Sequence, residues 1–251
     1  MAQDRRQDEN WNRIAWDQNY AWPQAGDEWS QAWGGSREQW YISIYPRIMR
    51  YLPTRSILEI APGWGRWTRF LIPHCSSYSG FDLSERAILE CKKRFYFEKT
   101  ANFFVNDGKS LHPTADGSVD FIFSMDSLVH AEVDVIEAYL EGASRVLSLS
   151  GIGFVHHSNM AEHAARGVAN KHARATSVSA EIFSRICQKV DLGCITQEKI
   201  AWFQQETNDC FSLFTHAKNM RGKMPAIISN ENFISEPVRS RVLSEAYNFT
   251  F

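Results

Sequence analysis

The run Ile57-Leu58-Glu59-Ile60-Ala61-Pro62-Gly63-Trp64-Gly65-Arg66-Trp67-Thr68 constrains the fold more than any other part of the chain, because it reads as a buried strand breaking into a glycine turn that opens a helix. Gly63 and Gly65 lack Cβ, so they accept positive φ and let the main chain approach a bound molecule, while Glu59 ends the strand as an acceptor-only carboxylate. The spacing departs from the pyrophosphate-binding pattern G-x-G-x-x-G, since the position of its third glycine is Thr68. A carboxylate just ahead of the turn also suits a cationic ligand better than a phosphate.

The remaining pattern continues in the same style. From Ser56 onward apolar runs alternate with helical patterns, which is the signature of βα units in a mostly parallel sheet. Strands are predicted near 56–61, 77–82, 102–106, 119–124 and 151–157, and helices near 65–73, 84–97 and 133–147. A helix near 179–190 starts with Ser179 as N-cap and stops before Gly193; Cys194 to Trp202 and Cys210 to Ala217 read as two final strands. The expectation is a Rossmann-like α/β fold with a seven-stranded sheet and helices on both faces. The 251 residues and 44% apolar content supply a substantial core, best arranged as one domain with appendages. The expected division is an N-terminal Trp-rich helical cap over 1–50, a ligand-binding domain over 51–218, and a C-terminal tail or lid over 219–251.

Within the cap, Trp11, Trp16, Trp22, Trp29, Trp33 and Trp40 account for most of the nine tryptophans of the chain. They serve either to pack the cap onto the sheet or to line a ligand cleft, by stacking on a sugar face or closing over a cation. Trp33-Gly34-Gly35-Ser36 followed by Trp40 is the place expected to line such a cleft, because two glycines inside a helical region mark a hinge or a close backbone approach.

Composition narrows the partners. A formal net charge of -2 gives no bulk attraction to nucleic acid or to an anionic membrane, and no basic run supplies a local one. Five cysteines without C-x-x-C spacing, and a polar rather than signal-like N-terminus, point to reduced thiols, a cytoplasmic location and no zinc. No apolar stretch approaches the roughly 20 residues that span a bilayer. A small-molecule partner is the expectation, and a homo-oligomer is compatible with it.

The glycine turn resembles the first motif of the class I S-adenosylmethionine-dependent methyltransferases, an acidic residue followed by x-G-x-G or a close variant, with Ala61-Pro62 where many members carry a glycine. Three later segments extend the resemblance in the family's order. Tyr78-Ser79-Gly80-Phe81-Asp82-Leu83-Ser84 supplies the acid that ends the second strand, with Ser84 as helix N-cap. Phe103-Phe104-Val105-Asn106-Asp107-Gly108 supplies the third acidic position, and Ser118 to His130 matches the fourth strand and its loop, which contains Met125. The resemblance implies S-adenosylmethionine as cofactor and a last strand inserted antiparallel. It implies cofactor contacts from Glu59, Ala61, Gly63, Gly65, Asp82, Leu83, Asn106, Asp107, Gly108 and Met125, with Asp82 on the ribose hydroxyls and Asp107 facing the adenine amino group.

Ligands bind beyond the carboxyl ends of strands in open parallel sheets, so the fourth and fifth ends should face the methyl group. Asp126 and His130 lie at the fourth, and His156-His157-Ser158-Asn159 at the fifth. A neutral imidazole has a suitable pKa to take a hydroxyl proton, helped by a carboxylate on its other nitrogen, so His130, His156 and His157 are the candidate bases. His156 and His157 cannot both face the cleft if the strand persists, because successive side chains alternate. Asp126, Ser158, Asn159, Arg174, Trp33 and Trp40 are the candidate acceptor contacts. A metal held by the histidines with Asp126 or Asp209 is a competing reading, and no metal is the expectation. No G-x-S-x-G elbow or P-loop occurs.

Together W-G-G-S, A-P-G-W-G-R-W-T, D-S-L-V-H and H-H-S-N resemble a subgroup of bacterial methyltransferases associated with sugar and surface polysaccharide biosynthesis. The expected activity is methyl transfer to a hydroxyl of a sugar or glycosylated metabolite. Transfer to nitrogen or carbon, a non-catalytic binding module, and a dehydrogenase are the alternatives.

Overall fold

In the computed structural model, which describes residues 8–246, a single sheet carries the molecule. Its strands are β1 (Thr54–Ile60), β2 (Cys75–Asp82), β3 (Ala101–Val105), β4 (Val119–Ser124), β5 (Leu147–Ser158), β6 (Leu192–Ile200), β7 (Asp209–His216) and β8 (Ala226–Asn230). Their spatial order is β3-β2-β1-β4-β5-β7-β6-β8. The first five run parallel, and β7 inserts antiparallel to both β5 and β6.

Strand β1 shows why the sequence takes this form. Its last four residues are all buried, Ile57 and Glu59 on one face and Leu58 and Ile60 on the other, so the sheet is covered on both sides. Three long helices supply part of the cover: α1 (Glu85–Arg94), α2 (Val133–Val146) and α3 (Ala180–Lys189). Leu58 and Ile60 join a core with Ile136, Leu140 and Phe183 of α2 and α3. Ile57 joins a second core with Ile88 of α1 and with Trp33, Trp40 and Ile48 of the N-terminal segment. Ser84 and Ser179 cap α1 and α3, accepting from the backbone N–H of Ala87 at 3.0 Å and of Ile182 at 3.2 Å.

Several expected elements change form. The helix expected over 65–73 shrinks to Thr68–Leu71 followed by a tight turn at Ile72–His74, because residues 63–67 are spent on the glycine turn and Pro73 cannot donate to a continuing helix. The sheet has eight strands where seven were expected. The eighth, β8, comes from the stretch read as a tail or lid, and it pairs with β6 from Thr196↔Ala226 to Ile200↔Asn230. Its side chains are exposed or half-buried, so it lacks the apolar alternation that betrays a strand in sequence. A last helix, α4 (Glu236–Ala246), follows it. Arg47 anchors this end, bridging Glu198 of β6 at 2.6 Å and Glu236 of α4 at 2.6 Å. The outer ends of the 1–50 and 219–251 segments lie outside the described residues.

The close fit of β5 to β7 is a testable feature. A Cβ at Gly153 would sit 2.1 Å from the Phe214 ring. Gly153→Ala should therefore lower unfolding stability by roughly 1–3 kcal/mol in denaturant titration through overpacking, and unchanged stability would contradict this packing.

Candidate functional site

The turn after β1 takes left-handed backbone at three places, Ala61 (φ 55°), Gly63 (φ 57°) and Gly65 (φ 80°). Ala61 thus holds a conformation that glycine adopts without strain, at the very position where the sequence departs from the family pattern. The Gly63 N–H donates to Asp82 Oδ2 at 2.9 Å, which locks the turn to the end of β2; Asp82 Oδ1 accepts from Ser84 N at 2.9 Å. Burial pushes the Asp82 carboxyl up to about 6.

Beyond these strand ends lies a cavity of about 760 Å³, within the range of ligand sites. Ala61, Gly63, Asp82, Leu83, Gly108, Met125, Asp126, His130 and Arg174 line it, so the structure brings these expected residues together. Its lining is predominantly apolar, and three tryptophans of the N-terminal segment, Trp16, Trp22 and Trp29, roof it together with Trp67, Trp202 and Phe203.

Other expected contacts lie elsewhere. Glu59 turns away from the cavity: its carboxylate accepts from Thr68 Oγ1 at 2.7 Å and from the Tyr78 hydroxyl, holding the turn from behind, and burial pushes it up to about 7. Gly65 faces the Phe95 ring, which a Cβ there would meet at 2.4 Å, so its role is the packing of α1. Asn106 braces the next loop, accepting from Gly108 N at 3.0 Å and donating to Ser110 O at 2.7 Å. The exposed Asp107 accepts from the N–H groups of Lys109 and Ser110 at 2.9 and 2.7 Å; these outweigh the small cost of burial and hold it below the usual carboxylate range. Trp33 and Trp40 are core residues rather than lining, Trp33 donating to Ser43 Oγ at 2.8 Å and Trp40 stacking on Phe70. Ser158 and Asn159 are buried ties, to Ala175 O at 2.6 Å and to Thr207 O at 2.8 Å.

The three histidines divide. His157 packs under α3, its ring 4.2 Å from that of Phe183 and both nitrogens bonded, to Ser158 O and Ser212 Oγ. His156 projects to the opposite face, as alternation requires, yet it is sealed between two carboxylates. Its Nδ1 faces Asp126 Oδ1 at 3.0 Å and the Asp126 amide at 3.2 Å, and Nε2 faces Asp209 Oδ2 at 3.1 Å. Neither ring lines the cavity. His130 does. Its Nδ1 lies 2.7 Å from Ala173 O, an acceptor only, so Nδ1 carries the proton and Nε2 is a bare lone pair with no partner among the described residues. Trp16 lies against the ring at 5.0 Å, and burial lowers the imidazole pKa to about 3.

Asp126 and Asp209 extend the His156 contact into a chain. Arg66 pairs with Asp126, and Arg174 grips Asp209 through Nε at 2.9 Å and Nη2 at 2.7 Å. Burial alone would raise the Asp209 carboxyl, but Arg174 and His156 hold it well below the usual range. Asp126 sits at φ 65°, a strained conformation kept because both its oxygens are engaged. Among the described residues no group of three or more His, Cys, Asp or Glu has the geometry to hold a metal, and no helix is long and apolar enough to cross a membrane.

Lining residues outside the expected contacts include Arg66 and Trp67 beside the turn, Tyr139 of α2, and Glu28, while Trp16, Trp22 and Trp29 form the wall in place of the favoured Trp33 and Trp40. The signal for Arg66 and Trp67 was present, since both lie inside the glycine motif itself.

Residues 57–151 match the family model described as a methyltransferase domain. No curated protein matches the chain by sequence. Solved structures of similar fold include an S-adenosylmethionine-dependent methyltransferase from Clostridium acetobutylicum (14% identity, TM-score 0.57, 71% of this chain and 91% of that one). Another is the N-methyltransferase NodS from Bradyrhizobium japonicum (16% identity, TM-score 0.53, 68% and 93%). A third is geranyl diphosphate C-methyltransferase from Streptomyces coelicolor, in complex with Mg2+, geranyl diphosphate and S-adenosyl-L-homocysteine (11% identity, TM-score 0.60, 82% and 96%). At such identities the likeness is one of fold. Residues 57–151 thus match a methyltransferase-domain model, and the sheet shares its fold with solved S-adenosylmethionine-dependent methyltransferases.

The placement of Glu59 predicts a pH effect. A carboxyl whose folded pKa is raised from 4.5 to about 7 binds its proton more tightly in the folded state, so stability falls as pH rises between those values and levels off above them. Glu59→Gln removes that titration. The variant should match the wild type at acidic pH, exceed it in melting temperature above neutrality, and bind S-adenosylhomocysteine unchanged; lost binding would place Glu59 in the ligand site instead.

Proposed function

We propose that this protein transfers the methyl group of S-adenosylmethionine to a hydroxyl oxygen of a small, flat-faced acceptor such as a sugar or glycosylated metabolite. The observation that carries the reading is the unprotonated Nε2 of His130 in the wall of a cavity that also contains the glycine turn and Asp82.

The residues present fit the cofactor. Asp82 uses one lone pair of each oxygen on backbone N–H groups, which leaves acceptor capacity for the two ribose hydroxyls. Ala61 and Gly63 bring the turn against the amino-acid part, and Leu83, Gly108, Met125 and Tyr139 form the apolar slot for the base. When bound, the cofactor supplies an electrophilic methyl group on a sulfonium that already leaves well.

What remains for the protein is alignment, exclusion of water and removal of one proton. Trp16 and Trp29 present half-buried rings on which a sugar face or other flat molecule can stack. His130 Nε2 accepts a hydrogen bond from the acceptor hydroxyl, directing the oxygen's other lone pair at the methyl group. A pKa near 3 makes it a weak base, but methylation of a neutral hydroxyl yields a protonated ether, a far stronger acid than this imidazolium. His130 therefore takes the proton as the bond forms, and Ala173 O steadies the resulting imidazolium through Nδ1–H. The same weak basicity also suits an acceptor that brings its own lone pair, so transfer to an uncharged nitrogen is the second reading.

His130→Ala should lower kcat toward a hydroxyl acceptor by about 10²–10⁴-fold while leaving S-adenosylhomocysteine affinity unchanged. Because the ring is neutral well below its ordinary range, kcat at saturating cofactor should be flat from about pH 5 to about pH 8. Full turnover in the variant would favour the nitrogen reading, and an inflection near the ordinary histidine pKa would contradict the buried neutral base.

A further inference from the structure

The charges around the cavity are unevenly matched, and the mismatch bears on the acceptor. Four lining residues are capable of positive charge. Arg66 is committed to Asp126 and to Gly26 O at 2.9 Å, with its guanidinium over the Trp67 ring at 4.1 Å. Arg174 is committed to Asp209. Burial keeps His130 neutral and lowers His172 as well. Neither guanidinium in the wall is thus free to receive a phosphate or carboxylate.

Among the lining carboxylates, Asp126 is paired with Arg66 and Glu9 with Lys109, and Asp82 belongs to the cofactor end. Glu28 is different. Its oxygens accept from the Tyr20 hydroxyl at 2.8 Å and from the N–H groups of Gly26 and Gln24 at 2.9 and 3.2 Å, and it forms no ion pair among the described residues. Tyr20, which donates to it, belongs to an aromatic cluster at the cavity, and the Trp29 ring of that cluster already carries the Arg66 guanidinium 5.4 Å from its centre. Tyr20 lies 5.1 Å from Trp29 and 5.5 Å from Trp16, and Trp16 meets Trp29 edge to face at 5.9 Å. A carboxylate fixed by three neutral donors beside tryptophan rings, inside a cavity, is the chemistry that recognises an alkylammonium: the carboxylate supplies charge and the rings supply cation–π attraction.

We infer that the acceptor carries an ammonium group, held by Glu28 and the rings of Trp16 and Trp29, as an amino sugar or another hydroxylated amine would. The inference rests on the transferase reading of the cavity and narrows it. The ammonium is a handle and not the methylated atom, since a base as weak as His130 cannot deprotonate it. An acceptor bearing a phosphate or carboxylate inside the cavity is disfavoured, because the wall supplies no uncommitted cation to meet it.

The test uses three probes of matched shape, phenethylamine, phenethyl alcohol and phenylacetate, titrated calorimetrically at neutral pH into the full-length protein, both free and loaded with S-adenosylhomocysteine. The cationic amine should bind at least about ten-fold tighter than either of the others, the order expected of a desolvated cation–π contact plus an ion pair. Glu28→Gln should abolish that preference while leaving the affinities for S-adenosylmethionine and S-adenosylhomocysteine unchanged; an unaltered melting temperature shows the variant is folded. Equal binding of the three probes, preference for phenylacetate, or no detectable amine binding overturns the inference. So does a loss of S-adenosylmethionine affinity in Glu28→Gln, which would assign this carboxylate to the cofactor. Failure of S-adenosylhomocysteine to load counts against the transferase reading alone, since the probe preference is still read on the free protein.

Discussion

Buried charge has to be matched, and the chain Arg66, Asp126, His156, Asp209, Arg174 is how this protein matches it beneath the cavity. It ties the glycine turn to the end of β4, crosses β5 and β7, and ends in the segment ahead of α3. Removing one member would strand a partner in a low-dielectric interior at a cost of roughly 3–5 kcal/mol, so the chain fixes the floor as a unit. The same pairing withdraws His156 from the cavity and uses both guanidiniums, leaving His130 as the proposed base and Asp82 and Glu28 as lining carboxylates without an ion pair among the described residues.

The cap and the sheet build the site jointly. Asn12 donates to the carbonyl of His130 at 3.0 Å and accepts from Trp16 Nε1 at 3.2 Å, so the segment that carries the aromatic roof also sets the loop that carries His130. Trp22 lies so close over the turn that a Cβ at Gly63 would come within 2.7 Å of its ring. The glycine therefore serves two ends at once, left-handed backbone and room for a tryptophan. Aromatic cover of this kind excludes water, which strengthens every polar contact inside.

Much of this was legible in the residues. Apolar runs bounded by caps and glycines marked β1 to β7, and the serines at 84 and 179 marked helix starts, because local chemistry decides those features. Strict alternation also foretold that His156 and His157 would part company. What sequence could not supply were partners distant along the chain. Asp209, which occupies His156 Nε2, lies 53 residues away, and the Tyr78 hydroxyl that turns Glu59 inward belongs to the neighbouring strand. The tryptophans illustrate the same limit: the W-G-G-S stretch drew attention to Trp33 and Trp40, yet it is the earlier Trp16, Trp22 and Trp29 that reach the cavity, a matter of cap docking rather than local pattern. β8 was hidden because a strand without a buried face writes no periodicity.

The account stands on the cavity at the glycine turn being the seat of a sulfonium nucleoside rather than of a dinucleotide. Parallel calorimetric titrations of the purified protein with S-adenosylhomocysteine and with NAD address that directly. Saturable binding of S-adenosylhomocysteine with no heat from NAD is the result expected here; binding of NAD with none of S-adenosylhomocysteine would contradict it.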